Sequence, residues 1–105
     1  MSPVKSGDDN LEESKIEKRL KKEIELIGGK ALKFVSPGMS GVPDRIVLIP
    51  YGKVIFVELK APGKKLRPIQ ELRRKELEKL GFDYWIVDSY EEIESLLVYI
   101  KVQEH

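Results

Sequence analysis

The chain has 105 residues, with 19 basic side chains against 18 acidic ones and a formal net charge of +1. That length fits one compact domain, and so even a charge balance identifies a nucleic-acid binder only if the basic residues cluster locally. There is no cysteine, and the single histidine is His105 at the very end; disulfides, thiol catalysis, Cys-ligated zinc and a histidine general base are therefore excluded or improbable, which leaves carboxylates, lysine, hydroxyls and a hard, oxygen-loving metal for any chemistry. No apolar run approaches the ~20 residues that span a bilayer, and the polar start MSPVKSGDDN has no signal-peptide core. An intracellular, cytoplasmic protein (or a phage protein made in its host's cytoplasm) is expected, with no membrane partner.

Taken in chain order, residues 1–10 read as a disordered arm, and residues 11–105 as the single domain. Asn10 with Glu13 three positions on resembles a capping box, and Ile16, Leu20, Ile24 and Ile27 form one apolar helical stripe that Gly28 and Gly29 end. Residues 31–35 predict a first strand, followed by a loop rich in Gly, Pro and Ser. A second strand from Asp44 and a third over residues 54–61 are apolar on both faces, so both belong in the middle of a covered sheet. Pro68 suits the first turn of a second helix, with Ile69, Leu72, Glu76, Leu77 and Leu80 near one face and Gly81 as its stop. Residues 84–87 predict a fourth strand. Ser89 and Glu92 then open a last helix with Ile93, Leu96, Leu97 and Ile100 inward. The order is α-β-β-β-α-β-α, an α/β fold.

The third strand carries the sharpest signal. Glu58 and Lys60 follow four apolar residues and share one face, about 7 Å apart along the strand. Charges at the end of an apolar central strand are costly to desolvate unless they are paired or bind something. A hairpin between the second and third strands returns Asp44 to the same end. A two-residue loop would set Asp44 opposite Leu59, on the wrong face; a three-residue loop at 51–53, or a bulge, sets it opposite Lys60 and beside Glu58, with Gly52 or Lys53 left-handed. Two carboxylates and a lysine converging there can bind Mg²⁺ or Mn²⁺ for phosphodiester hydrolysis. The plainer alternative is an ordinary ion pair capping the sheet.

Gly41-Val42-Pro43-Asp44-Arg45, Val57-Glu58-Leu59-Lys60 fourteen residues later, and Gln70 in the following helix together resemble the virus-type replication–repair nuclease (VRR-NUC) family of the PD-(D/E)xK superfamily. The resemblance covers roughly residues 12–98. It implies a restriction-endonuclease-like αβββαβ core, with a four-stranded mixed sheet flanked by helices, and a metal-dependent deoxyribonuclease. It implies that Asp44, Glu58 and the backbone carbonyl of Leu59 ligate Mg²⁺ or Mn²⁺, that Lys60 positions the attacking water, and that Gln70 supports the site or touches the phosphate. It also implies a helix glutamate in the cluster: Glu17 is the choice because it shares a helix row with Leu20 and Ile24, with Glu13 as runner-up and Glu23 less suitable. Stand-alone members of the family imply a homodimer acting in DNA repair on branched DNA such as Holliday junctions or flaps, with no small-molecule cofactor. On this reading Lys64, Lys65 and Arg67, a basic loop with no acid in it, meet DNA. Arg45 is expected to hold Asp44 or a phosphate, and Lys33 to touch a phosphate while Leu32 and Phe34 face the core. The loop before Asp44 is expected across the cleft, where its glycines let the backbone approach a phosphate. For Gln70 the residues alone favour an exposed helix position. A junction resolvase of another branch, a non-catalytic nucleic-acid-binding module and a structural α/β domain are the alternatives.

Overall fold

The computed structural model describes residues 7–103, as helix α1 (Gly7–Leu26), strands β1 (Lys30–Lys33), β2 (Arg45–Ile49) and β3 (Lys53–Leu59), helix α2 (Pro68–Lys79), strand β4 (Asp83–Val87) and helix α3 (Tyr90–Gln103). This is the expected element order. Residues 1–6 of the expected arm lie outside the described residues, while residues 7–10 already belong to α1; Asn10 is therefore inside the helix and not its cap.

The sheet is mixed, in the order β1-β2-β3-β4, with β1–β2 and β2–β3 antiparallel and β3–β4 parallel. Its two apolar strands are the central ones, as their composition requires. One face is covered by α1 and α3. Ile16, Leu20 and Ile24 pack there with Ala31, Val47, Ile55, Val57, Val87, Ile93, Leu96 and Ile100. Ile27, beyond the end of α1, is 39% exposed and does not join them. The last helix behaves as predicted, and Ser89 Oγ accepts from the Glu92 amide at 3.1 Å.

The other face carries α2, and the core on this side is smaller. Phe56 packs against Phe34 and Phe82, with ring centroids at 5.8 and 5.3 Å. Leu72 and Leu80 stay exposed, contrary to the apolar face predicted for this helix, and Gln70 is the buried residue of α2. Because side chains alternate along a strand, the even-numbered residues of β3 face α2 while Ile55, Val57 and Leu59 face α1 and α3.

The hairpin fixes what the site can be. Ile49 pairs with Lys53 and Arg45 with Val57, so the loop is three residues long but lies at 50–52, one position earlier than expected. Extended by one step, this register sets Asp44 opposite Glu58 instead of Lys60. The parity is unchanged, so Asp44 and Glu58 share a face. The left-handed positions in this loop are Tyr51 (φ 72°) and Gly52 (φ 79°); of the expected Gly52 or Lys53 it is Gly52, and Tyr51 joins it because the loop starts one residue earlier.

The loop before Asp44 is closed against α2. Gly41 has φ +79°, and a Cβ there would lie 2.7 Å from the Ile69 carbonyl oxygen and 2.8 Å from Ile69 Cγ1. Arg73 Nε donates to the Ser40 carbonyl at 2.7 Å. The close approach that Gly41 allows is thus to the start of α2. Gly41→Ala is expected to lower stability by at least about 2 kcal/mol, from left-handed strain plus a backbone clash. Urea unfolding measures it; a loss under about 0.5 kcal/mol would mean the loop does not hold α2 this way.

Candidate active site

Four side chains meet at the ends of β2 and β3 beneath the first turn of α2. Asp44 comes from the residue before β2, and its Oδ2 accepts from the Leu59 amide at 2.8 Å. Its own carbonyl accepts from the Phe34 amide at 3.0 Å. Glu58, next to last in β3, is 3% exposed. Lys60 follows the strand, with its amide on the Val87 carbonyl at 3.0 Å and its ammonium 3.4 Å from Glu58 Oε2.

Gln70 ties these together. Its Nε2 donates to Glu58 Oε2 at 2.8 Å, and its Oε1 accepts from Lys60 Nζ and from the Arg67 amide, each at 2.8 Å. The amide can stand only one way round, because an ammonium and a backbone N–H only donate and an ionised carboxylate only accepts. Gln70 is the third residue of α2, where a Gln side chain commonly reaches back to the N-cap amide. At 5% exposure it is a support of Glu58 and Lys60, not the exposed helix residue that its flank suggested.

The electrostatics concentrate on Glu58. Burial, and after it the neighbouring Asp44 charge, push its carboxyl up to about 7 against the opposing pull of the Lys60 ammonium. Its Oε1 is buried with no hydrogen-bond partner. A raised carboxyl binds its proton more tightly in the folded chain than in the unfolded one. Its contribution to stability is therefore complete below pH ~4.5 and is lost as pH rises through about 7. Without metal, Glu58→Gln is expected to gain about 3 kcal/mol over the wild type at pH 8 and well under ~1 kcal/mol at pH 4.5. Urea titrations in EDTA at the two pH values test this; an equal difference at both would show that the ionised carboxylate is not strained.

Three expected site residues lie elsewhere. Arg45 is adjacent to Asp44 in sequence and therefore points to the opposite face. It is 8% exposed, and it donates through Nε and Nη2 to Glu17 Oε2 at 3.0 and 2.8 Å and through Nη1 to the Ala31 carbonyl at 2.9 Å. It neither holds Asp44 nor has a free face for phosphate. Glu17 is accordingly committed to Arg45 on the α1 side, and Glu23 to Arg19 at 3.1 Å. The runner-up Glu13 is half-buried one turn before Glu17. Among the described residues no three carboxylate or histidine groups converge to hold a metal. Lys33 pairs in register with Arg45 and shares its side of the sheet, away from Asp44. Leu32 and Phe34 do share a face, but it is the α2 face, where Leu32 is 45% exposed. Lys64, Lys65 and Arg67 are exposed on the loop between β3 and α2.

The domain model of VRR-NUC matches residues 3–91. The chain belongs to the VRR-NUC family. A phage relative, "Putative nuclease p44" of Acyrthosiphon pisum secondary endosymbiont phage 1, is 49% identical over 87 residues, which is 83% of this chain and 92% of that protein. A solved structure of a VRR-NUC domain superposes with a TM-score of 0.78 at 31% identity, covering 82% of this chain and 94% of that one. The mixed four-stranded sheet and its flanking helices are thus those of a VRR-NUC fold, and membership makes this chain a nuclease. No helix among the described residues of this VRR-NUC protein is long and apolar enough to cross a membrane.

Proposed function

We propose that this VRR-NUC protein hydrolyses DNA phosphodiesters with a divalent cation held by Asp44, Glu58 and the Leu59 carbonyl. The observation that carries the proposal is Glu58 Oε1, buried and without a donor beside a second carboxylate. Two acceptor-only groups facing each other need a proton or a cation between them. The donor set is all oxygen, which suits Mg²⁺ or Mn²⁺. Leu59 contributes its carbonyl on the strand edge from which its amide already meets Asp44.

When bound, the cation supplies Lewis acidity and lowers the pKa of a water on it. The rest is done by the chain. Gln70 ties the Glu58 carboxylate and the Lys60 ammonium together through its two amide atoms. Lys60, only partly engaged by Glu58 at 3.4 Å, offers its remaining protons to the attacking water and to the charge that grows on the phosphate. Glu17 serves Arg45 in this mechanism, not the cation. Lys64, Lys65 and Arg67, with no acid among them, supply phosphate contacts beside the site.

The substrate we infer is branched DNA, a Holliday junction or a flap, cut in DNA repair in the cytoplasm by a homodimer whose two sites act on two strands. The test is cleavage of labelled linear, flap and four-way-junction DNA with Mg²⁺, Mn²⁺ or EDTA. Cutting that requires metal and ranks junction or flap above linear DNA is the expected result. Equal cutting of all three would remove the branched-DNA reading. Salt-sensitive binding with no cutting would replace the enzyme by a binding module.

A further inference from the structure

A second buried oxygen on the α2 side of the sheet has no partner: the hydroxyl of Tyr84. Among the described residues, buried side-chain oxygens without a partner include this one and Glu58 Oε1. Such groups are rare in folded proteins, and each calls for an explanation. Two of them on one side of the same sheet invite a common one.

Their places in the fold are adjacent. β3 and β4 are neighbouring parallel strands, with Phe56 paired to Tyr84 and Glu58 to Ile86. Tyr84 is therefore the diagonal neighbour of Glu58 on the same face of the sheet, one row back on the next strand, close enough for the Glu58 charge to act on its hydroxyl. Both lie beneath α2. Tyr84 is 8% exposed, and the Arg74 guanidinium sits 5.9 Å from its ring centroid. The remainder of its row, Leu32, Ile46 and Phe56, is apolar. A phenylalanine would fill the same place without an orphaned hydroxyl. Burial, and after it the Glu58 charge, keeps the phenol protonated, so the group stands as a donor.

We infer that Tyr84 is a positioning residue for Glu58: its hydroxyl donates toward the Glu58 carboxylate across one buried water and turns that carboxylate toward Asp44 for cation binding. The link spans two groups that each lack a partner and leaves the Gln70 bond to Oε2 intact. The cation part rests on the function proposed above, but the Tyr84–Glu58 link does not.

Two measurements separate these. The first is a metal-free double-mutant cycle by urea unfolding in EDTA at pH 8, with Tyr84→Phe introduced into the wild type and into Glu58→Leu. We expect Tyr84→Phe to raise the unfolding constant about fivefold when Glu58 is present and not to raise it in Glu58→Leu. If Tyr84→Phe is neutral or stabilising in both backgrounds, the hydroxyl is a packing remnant and the inference is overturned, whatever the metal results. The second is Mn²⁺ titration by calorimetry of the wild type and Tyr84→Phe. A five- to tenfold weaker Mn²⁺ affinity in Tyr84→Phe, in a variant that remains folded, supports the positioning role. Coupling in the cycle with unchanged Mn²⁺ affinity overturns it. A wild type that binds no Mn²⁺ refutes the cation site and with it this role for Tyr84, while the cycle still decides whether the two groups are linked.

Discussion

Lys60→Ala is expected to lower metal-dependent DNA cleavage by about 10²–10³-fold while the protein stays folded, the size of effect seen when a single charge-stabilising donor is removed from a transition state. The geometry adds a second consequence. Lys60 is the cation that opposes the upward push on Glu58. Without it the Glu58 carboxyl rises further, and a proton competes more strongly with the metal for the same oxygens. The loss should therefore be steepest near neutral pH and partly recovered towards pH 9, with a slope greater than that of the wild type. Asp44→Asn has a different signature. It removes a charge that raises Glu58, so the Glu58 proton comes off more easily, but it also removes one of the two carboxylates proposed to hold the cation. Cleavage should fall at least as far and should not recover with pH. Initial rates on a four-way junction across pH 6–9, at saturating and limiting Mn²⁺, distinguish the two. Parallel pH profiles for Lys60→Ala and the wild type would show that Lys60 does not act through Glu58.

The part of this site that could be read from sequence is the part governed by strand alternation. Glu58 and Lys60 share a face because they are two apart, and Asp44 joins them because a three-residue hairpin loop keeps the parity even. The loop was expected one residue later than it falls, at 51–53 and not 50–52, and the error moves Asp44 by one pair without changing its face. The same parity rule already excluded Arg45 from the Asp44 side. An arginine beside a carboxylate of the candidate site invites a phosphate role, but consecutive strand residues cannot face one cleft. Lys33 fails for the same reason, since it shares the odd-numbered side with buried Ala31. The helix row of Leu20 and Ile24 does set Glu17 towards the sheet; what a row does not give is which side of the sheet α1 covers, and that side is Arg45's.

Gln70 is carried by the resemblance and not by its own pattern, and Tyr84 by neither, for another reason. An apolar stripe is the usual guide to the buried side of a helix, and in α2 the buried residue is polar. Its burial is driven by three hydrogen bonds to partners that are distant in sequence or at the helix cap. The local cue available was its position three residues after Arg67, where a Gln side chain caps the helix start. Tyr84 reads as ordinary packing because its ring does pack; only its register beside Phe56, one row from Glu58, gives the hydroxyl a meaning.

Glu17 gives the second large expected effect, on stability. Its carboxylate is about a third exposed, whereas the Arg45 side chain it holds is 10% exposed. Deleting either partner is therefore not equivalent. Glu17→Ala leaves a buried guanidinium with its bond to the Ala31 carbonyl but without the counter-charge that Glu17 supplies, and is expected to cost about 3 kcal/mol, the lower end for breaking a buried pair because Glu17 is itself partly solvated. Arg45→Met leaves a carboxylate that can turn to water and an apolar chain that fits beside Ala31 and Val57; about 1–2 kcal/mol is expected. The double replacement should cost less than the sum. Urea unfolding of the three variants tests the order. Cleavage tests the assignment itself. If Glu17 works only through Arg45 on the far side of the sheet, Glu17→Gln keeps Mn²⁺-dependent cutting within a few-fold of the wild type at a temperature where both are folded. A loss of a hundredfold or more in folded Glu17→Gln would place this carboxylate on the cation, and α1 would then have to move relative to Arg45 when metal binds.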